Sequence, residues 1–254
     1  MKKICIVIPC YNEQFRLPTT EFVNFYNEKR NFHFIFVNDG SKDLTSDVIK
    51  KIINGREDRM CLLEICINSG KSEAVRLGML HSQIWNNFEI VGYLDADLSI
   101  PLDEAERLTE FFKNENVYFV FGSRLQRLGV NIKKKLYRHI IGRVFATFAS
   151  RMLNIVVYDT QCGVKFFKKD IINHIFGEKF NSSWIFDLEV FYRFINYFKG
   201  KNLNLFAKEI PLEKCIHVDG SKIRTYQFIK IPIEMIKLYF LYNIKGAKKK
   251  NQQD

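Results

Sequence analysis

The sequence has little proline (5) and little glycine (13), while hydrophobic residues make up 47% of its 254 positions. Few backbone breakers among so many apolar residues exclude collagenous and intrinsically disordered chains. No stretch reaches the roughly 18 uncharged apolar residues that a membrane-spanning helix needs. The six cysteines include no CxxC pair, so the thiols are expected to be reduced and several of them to sit in the core. Neither GxGxxG nor GxxxxGK[ST] occurs, and the dinucleotide and P-loop readings therefore lack their motif. The apolar run Ile4–Ile8 is too short for a signal peptide and has no small-residue cleavage site. It reads as a first buried strand of a cytoplasmic protein.

Charge of one sign is missing locally. Between Ser123 and Tyr158 there are eight Lys or Arg and no Asp or Glu. From Lys222 onward eight more basic residues face only Glu234 and Asp254. The formal net charge of +11 thus belongs to two segments, and the rest of the chain is slightly acidic. Segregation of this kind points to a surface that meets something anionic. The positive charge accompanies apolar helices instead of a stacking platform, and no nucleic-acid motif is present, so no nucleic-acid partner is expected.

Apolar runs alternate with helical patterns through the first half. Strands are expected at Ile4–Ile8, Phe32–Val37, Cys61–Ile65, Ile90–Leu94 and Val117–Phe121, with helices near 15–29, 43–53, 71–86 and 102–114. Ser41 or Asp43 suits the start of the second helix and Pro101 that of the fourth. This alternation predicts βαβ units and an α/β fold with a mainly parallel sheet. The second half reads as a helix over 135–155, a strand Gly163–Phe167, a helix Phe186–Tyr197, a strand near Leu203–Ile210 and a last helix over 223–244. One face of the 135–155 helix would carry Tyr137, Ile141, Val144, Phe145, Phe148, Met152 and Ile155.

Polar residues gather at the strand ends: Pro9-Cys10-Tyr11-Asn12-Glu13, Asn38-Asp39-Gly40-Ser41, Asn68-Ser69-Gly70-Lys71 and Asp95-Ala96-Asp97. All four fall on the edge where an open parallel sheet binds its ligand. Each alone is also good turn chemistry. Asp95 and Asp97 repel one another, which a hard divalent cation such as Mg²⁺ or Mn²⁺ with a diphosphate would relieve. Asp97 could instead cap the helix after Pro101. Lys71 could meet a phosphate or begin a solvated helix. Asp39 could accept bonds from a nucleobase N–H or a ribose.

These motifs resemble family-2 glycosyltransferases with the GT-A fold. The later segments Asp159-Thr160-Gln161-Cys162-Gly163-Val164-Lys165-Phe166-Phe167, Trp184-Ile185-Phe186-Asp187-Leu188-Glu189 and Gly220-Ser221-Lys222-Ile223 resemble dolichyl-phosphate β-glucosyltransferases, with dolichyl-phosphate mannose synthases as near relatives. The resemblance covers about residues 3–225. It implies inverting transfer of a hexose, preferably glucose from a UDP-sugar donor, to a polyprenyl or dolichyl phosphate. Pro9, Asn12, Glu13 and Asp39 would hold the nucleoside, and Lys71, Asp95 and Ala96 would line the donor. Asp97 would bind the metal with Asp95. Ser99 stands where mannose synthases often place a further metal ligand, Gln. Relatives of this type often carry an N-terminal membrane anchor, whereas this chain starts at its first strand, so membrane contact is expected elsewhere.

Asp187 occupies the place where hydroxyl-transferring relatives keep a catalytic base. A lipid monophosphate is already largely ionised near neutral pH and needs positioning by cations instead. Arg124, Arg138, Lys222 and Arg224 are candidates for that task, with Gln161 and Glu189 beside the acceptor. Asp187 and Glu189 could equally be a dipole-favoured pair at a helix start. The alternative acceptor is a hydroxyl of a cell-surface glycan or lipid-linked oligosaccharide, with Asp187 as base. The expected layout is a catalytic domain over 1–222, whose halves 1–122 and 123–222 bind donor and acceptor, and an amphipathic helix with a basic tail over 223–254. Lys230, Glu234 and Lys237 form a narrow polar stripe on that helix, suited to lying on an anionic membrane as a peripheral attachment.

Overall fold

In the first strand, β1 (Ile4–Cys10), Ile4, Ile6 and Ile8 enter one apolar cluster while Cys5 and Val7 enter another. Alternate strand residues point to opposite faces, and here both faces are covered. That is why the strand reads as an unbroken apolar run. The computed structural model describes residues 2–125, 136–216 and 227–245, apart from the side chains of 136–141, 227–229 and 244–245.

The first half follows the expected alternation: β1, α1 (Thr19–Glu28), β2 (Phe32–Asp39), α2 (Thr45–Ile53), β3 (Met60–Ile65), α3 (Lys71–Trp85), β4 (Ile90–Leu94), α4 (Leu102–Thr109) and β5 (Phe119–Ser123). Then come α5 (Leu136–Leu153), β6 (Val164–Lys168), α6 (Ile172–Phe176), α7 (Phe186–Tyr197), β7 (Ala207–Pro211) and α8 (Gln227–Tyr239). The sheet order is β3-β2-β1-β4-β6-β5-β7. β6 runs antiparallel to β4 and β5, and every other pairing is parallel. The strand order reverses between β1 and β4, the place where doubly wound sheets open a binding crevice.

Helices α1, α2 and α4 cover one face of the sheet, anchored by Phe22, Phe25, Ile49, Ile52, Ala105 and Leu108. Helix α3 and the second-half helices cover the other. Helix α7 is buried at every position from Phe186 to Phe194, which makes it the centre of that second layer.

Several boundaries differ from expectation for identifiable reasons. Helix α1 starts at Thr19 and not near 15, because Arg16 and Leu17 donate their N–H groups back to the Glu13 carbonyl in a separate turn before Pro18. A residue before proline is also disfavoured in helical geometry. The expected strand near Leu203–Ile210 begins as a short 3-10 turn, Leu203–Leu205. There the Asn202 side chain accepts the Asn204 N–H, and only Ala207–Pro211 pairs in the sheet. The short helix α6 was not expected at all.

Helix α5 buries Ala146, Ala149 and Leu153, with Phe145, Met152 and Ile155 packed beside them. Val144 and Phe148 point outward, so the single apolar face expected for 135–155 is split. The expected start of the last helix, 223–226, and the basic tail beyond 245 lie outside the described residues. Helix α8 docks through Ile231, Met235 and Leu238, and continues into a π-helical turn, Phe240–Lys245.

Candidate active site

The loops after β1 and β2 latch onto each other. Asn12, with a left-handed φ of 50°, donates its N–H to Ser41 Oγ and accepts the Lys42 N–H at Oδ1. The Glu13 N–H goes to Thr45 Oγ1, 2.7 Å away. Asp43 accepts the Thr45 N–H at 3.0 Å, so it serves the start of α2, while Ser41 serves the loop above it. Pro9 lies within β1, paired with Val37.

Asp39 is buried at the end of β2. Its carboxylate accepts the N–H groups of Ser69 and Gly70, both at 2.8 Å, and the Asn68 side-chain amide at 3.2 Å. Gly40 has φ +63°, and a Cβ there would lie 2.5 Å from the Asn68 nitrogen. Only glycine allows this approach without strain. Asp39 therefore holds the loop that delivers Lys71 at the first turn of α3.

Lys71 Nζ lies 2.5 Å from Asp95 Oδ1. Burial favours the neutral amine, but the carboxylates of Asp95, Asp187 and Asp97 together outweigh it, and the ammonium's pKa is raised. Asp95 is backed by Gly163 at the start of β6, where a Cβ would come within 2.3 Å of Oδ2. Asp97 accepts the Ser99 N–H at Oδ1 and the Arg16 guanidinium at Oδ2, both at 3.0 Å. The Ser99 contact is a local turn bond and not the expected helix cap: α4 begins at Leu102 behind Pro101 with no side-chain cap bond, and Asp97 stays in the site. Ala96 is buried between the two carboxylates.

Beneath them lies a fully buried cation. Lys165, in the middle of β6, is 0% exposed and sits 2.6 Å from Asp187 Oδ1. Its ammonium also donates to the Cys162 carbonyl at 2.7 Å, and the Tyr93 hydroxyl donates to the same Asp187 oxygen at 2.6 Å. Burial and the Asp187 charge together push the Tyr93 phenol well above its ordinary range. Asp187 stands in the first turn of α7, so its place at a helix start and its place in the site are one.

The acceptor-side expectations divide. Arg124 makes two bonds to the Asp159 carboxylate, 2.8 and 3.0 Å, and one to the Gln161 carbonyl. Burial opposes its charge, but Asp159 more than compensates and raises its pKa. It organises the 159–161 loop. The Gln161 side-chain nitrogen is buried without a hydrogen-bond partner. Glu189 does not fit the expectation of acceptor contact. It is fully buried and bonded to the Asn181 N–H and side chain, Arg193 and Tyr242. Those bonds fasten the 181–182 loop and the turn after α8 onto α7. Lys222 and Arg224 lie outside the described residues, as does the side chain of Arg138, whose backbone belongs to α5.

Arg16, Tyr93 and Lys165 were not among the residues expected to build the site. Lys165 had a signal: it is the one ionisable residue inside Gly163–Phe167, a strand whose other members are all glycine or apolar. Arg16 and Tyr93 had none beyond their neighbours.

Residues 5–176 match the family described as Glycosyl transferase family 2. The chain belongs to that family. A dolichyl-phosphate β-glucosyltransferase of Trichomonas vaginalis is 29% identical over 96% of this chain and 75% of its own length. That of Dictyostelium discoideum is 26% identical over 94% and 74%. Among solved structures, mannosyl-3-phosphoglycerate synthase from Rubrobacter xylanophilus superposes with a TM-score of 0.70 at 12% identity, over 97% of this chain and 75% of that one. Glucosyl-3-phosphoglycerate synthase from Mycobacterium tuberculosis, in complex with Mn²⁺, UDP-glucose and phosphoglyceric acid, gives 0.66 at 15% identity, over 95% and 79%. At these identities the structures establish the fold, GT-A, and with the family match make this family-2 protein a glycosyltransferase.

The donor atoms suit a divalent metal. Asp95 and Asp97 offer hard carboxylate oxygens at one strand end, each already facing a positive group. No cluster of three or more His, Cys, Asp or Glu exists among the described residues, so diphosphate oxygens and water would complete the shell of Mg²⁺ or Mn²⁺.

Proposed function

We propose that this glycosyltransferase moves glucose from UDP-glucose to the phosphate of a dolichyl or other polyprenyl phosphate, with inversion at the anomeric carbon. The observation that carries the reading is the extent of likeness to dolichyl-phosphate β-glucosyltransferases, 94–96% of this chain, covering both halves of the fold. In the reaction an acceptor phosphate oxygen forms a bond to the anomeric carbon as the carbon–oxygen bond to the diphosphate breaks, and the nucleotide leaves with the electron pair.

The site supports a phosphate acceptor. Asp187 Oδ1 already accepts bonds from the Lys165 ammonium and the Tyr93 hydroxyl, so protein donors occupy the oxygen that would take a proton from a hydroxyl acceptor. A hydroxyl acceptor would need that proton taken, whereas an ionised phosphate would not. On the donor side, Pro9, Asn12, Glu13 and Asp39 surround the nucleoside, and Lys71 meets the diphosphate. Asp95 and Asp97 would hold Mg²⁺ or Mn²⁺, which when bound supplies positive charge to the leaving diphosphate. Arg138, Lys222 and Arg224 are assigned to the acceptor phosphate. Arg124 and Gln161 shape that side through the 159–161 loop.

Peripheral membrane contact completes the reading. Among the described residues no helix is long and apolar enough to cross a membrane. Helix α8 with its π-helical extension is nevertheless apolar on two sides, one docked on the core and one exposed through Ile233, Ile236 and Phe240. The polar stripe is not simply solvated: the Ser182 hydroxyl donates to Glu234, and Lys237 donates to the Asn181 carbonyl. Those bonds set the helix rotation that turns the second apolar side outward, toward a lipid surface.

A donor panel of UDP-glucose, UDP-galactose, UDP-N-acetylglucosamine and GDP-mannose, each offered with polyprenyl phosphate and with a glycan acceptor, tests the proposal. A β-linked glucosyl lipid phosphate formed from UDP-glucose is the expected product. Turnover confined to the glycan, or an α-linked product, would overturn it.

A further inference from the structure

Each carboxylate of the Asp95–Asp97 pair carries its own protein cation, and the two cations come from different loops. Lys71, at the start of α3, takes Asp95 Oδ1 at 2.5 Å. Arg16, in the turn between β1 and α1, takes Asp97 Oδ2 at 3.0 Å. Of the two remaining oxygens, Asp97 Oδ1 accepts the Ser99 N–H, and Asp95 Oδ2 lies against Gly163. The pairs differ in exposure: Arg16 and Asp97 keep 25% and 22% of their side-chain exposure and are half-buried, while Lys71 and Asp95 keep 42% and 35% and open to the cleft. Glu13 also faces Arg16, 3.7 Å from Nε.

We propose that Arg16 and Lys71 are counter-cations that make metal binding and donor binding interdependent. The proposal rests on the reading of Asp95 and Asp97 as the metal carboxylates. Within the two pairs charge is already balanced. A divalent ion entering alone is repelled by two fixed cations a few ångström away, and a diphosphate entering alone meets two carboxylates. Arriving together they cancel. The ion takes the carboxylates, the diphosphate takes Arg16 and Lys71, and no charge in a poorly solvated cleft is left without a partner. Arg16 thus holds Asp97 in place beforehand, meets the diphosphate once the donor is bound, and by that exchange sets how strongly the ion prefers the donor-loaded protein. Nothing in the spacing of the sequence motifs separates it from an ordinary solvated arginine. Its role follows from the fold, which bends the β1–α1 turn across the end of β4.

The interdependence is measurable without turnover. Mn²⁺ retained by the full-length protein is followed by loss of the free-ion electron paramagnetic resonance signal, with and without saturating UDP. In the unmodified protein UDP should tighten Mn²⁺ binding by roughly tenfold or more, and Mn²⁺ should tighten UDP binding by the same factor, as linkage requires. Arg16→Gln removes a positive neighbour. It should tighten Mn²⁺ binding alone by roughly three- to tenfold, weaken UDP binding measured in chelator, and shrink the coupling factor. Lys71→Gln should do the same through Asp95, which keeps the test open if Arg16→Gln fails to fold. Arg16→Lys, which preserves charge, should stay close to the unmodified protein. Asp97→Asn separates the two ideas. If it retains Mn²⁺ as the unmodified protein does, the metal assignment itself is wrong. If it loses Mn²⁺ while neither Arg16→Gln nor Lys71→Gln changes Mn²⁺ affinity or coupling, the metal assignment stands and the counter-cation role is overturned.

Discussion

Lys165 Nζ and Asp187 Oδ1 meet 2.6 Å apart, and neither side chain is more than 8% exposed. The pair joins the antiparallel strand β6 to the first turn of α7. Tyr93 of β4 adds its hydroxyl to the same oxygen, so three elements converge on one carboxylate. Lys165 also holds the Cys162 carbonyl, immediately before the glycine against which Asp95 rests. A buried ion pair thereby links the helix bearing Asp187 to the floor under Asp95.

Lys165→Met should strand a buried carboxylate and lower stability by about 3–5 kcal/mol. Adding Asp187→Asn should recover much of that loss, because the uncompensated charge is gone, while activity stays low. Denaturant midpoints and turnover of the two variants check this. A double variant no more stable than the single one would contradict the assignment of the cost to the unpaired charge.

Gly163→Ala adds a Cβ that would lie 2.3 Å from Asp95 Oδ2. The carboxylate must move, and with it the Lys71 contact. Turnover should fall by roughly a hundredfold, the scale on which small displacements in a reacting site act. Gly163 has no left-handed φ, so the backbone tolerates alanine and the thermal midpoint should change little. Steady-state kinetics beside a melting curve separates the two effects, and normal turnover would show that Asp95 has room to relax.

Glu189→Ala should behave as a structural lesion. Its bonds to Asn181, Arg193 and Tyr242 fasten the turn after α8, and their loss leaves Arg193 without its buried carboxylate. A destabilisation of about 3–5 kcal/mol is expected, with faster hydrogen exchange in α8. The acceptor KM of the folded fraction should stay unchanged. A large rise in that KM with normal exchange would restore Glu189 to the acceptor site.

The outward side of α8 and its π-helical extension offers Ile233 and Phe240, which are 64% and 53% exposed. Changing both to serine should cost the fold within about 0.5 kcal/mol, as for other surface positions. It should weaken binding to anionic vesicles by at least roughly tenfold, since each such side chain contributes about 1.5–3 kcal/mol when buried. Flotation with and without added salt measures this, and binding of the intact chain should weaken at high salt. Undiminished vesicle binding by the double variant would place the membrane contact elsewhere.

The parallel half of the fold was legible in the sequence because its signals are local. Doubly buried strands read as apolar runs, and their carboxyl ends carry the polar loops, so Asn12, Asp39, Lys71, Asp95 and Asp97 could be placed on one edge before any coordinate was known. Helix α7 was also legible end to end from its apolar pattern. What the sequence could not disclose was which of these polar groups are already engaged. Asp39 and Glu189 look alike as candidate ligands, yet Asp39 stays at the strand edge of the site while also holding the loop before α3, and Glu189 is sealed under α8. The rotations of α5 and α8 were likewise decided by tertiary contacts, because a helix apolar on more than one side has no unique inward face. The pairings Arg16–Asp97 and Lys165–Asp187 span 81 and 22 residues. Local propensity carries no trace of such separations: the energy of a charge in a cleft depends on which partner the folded chain brings within about 3 Å, and only the tertiary structure decides that.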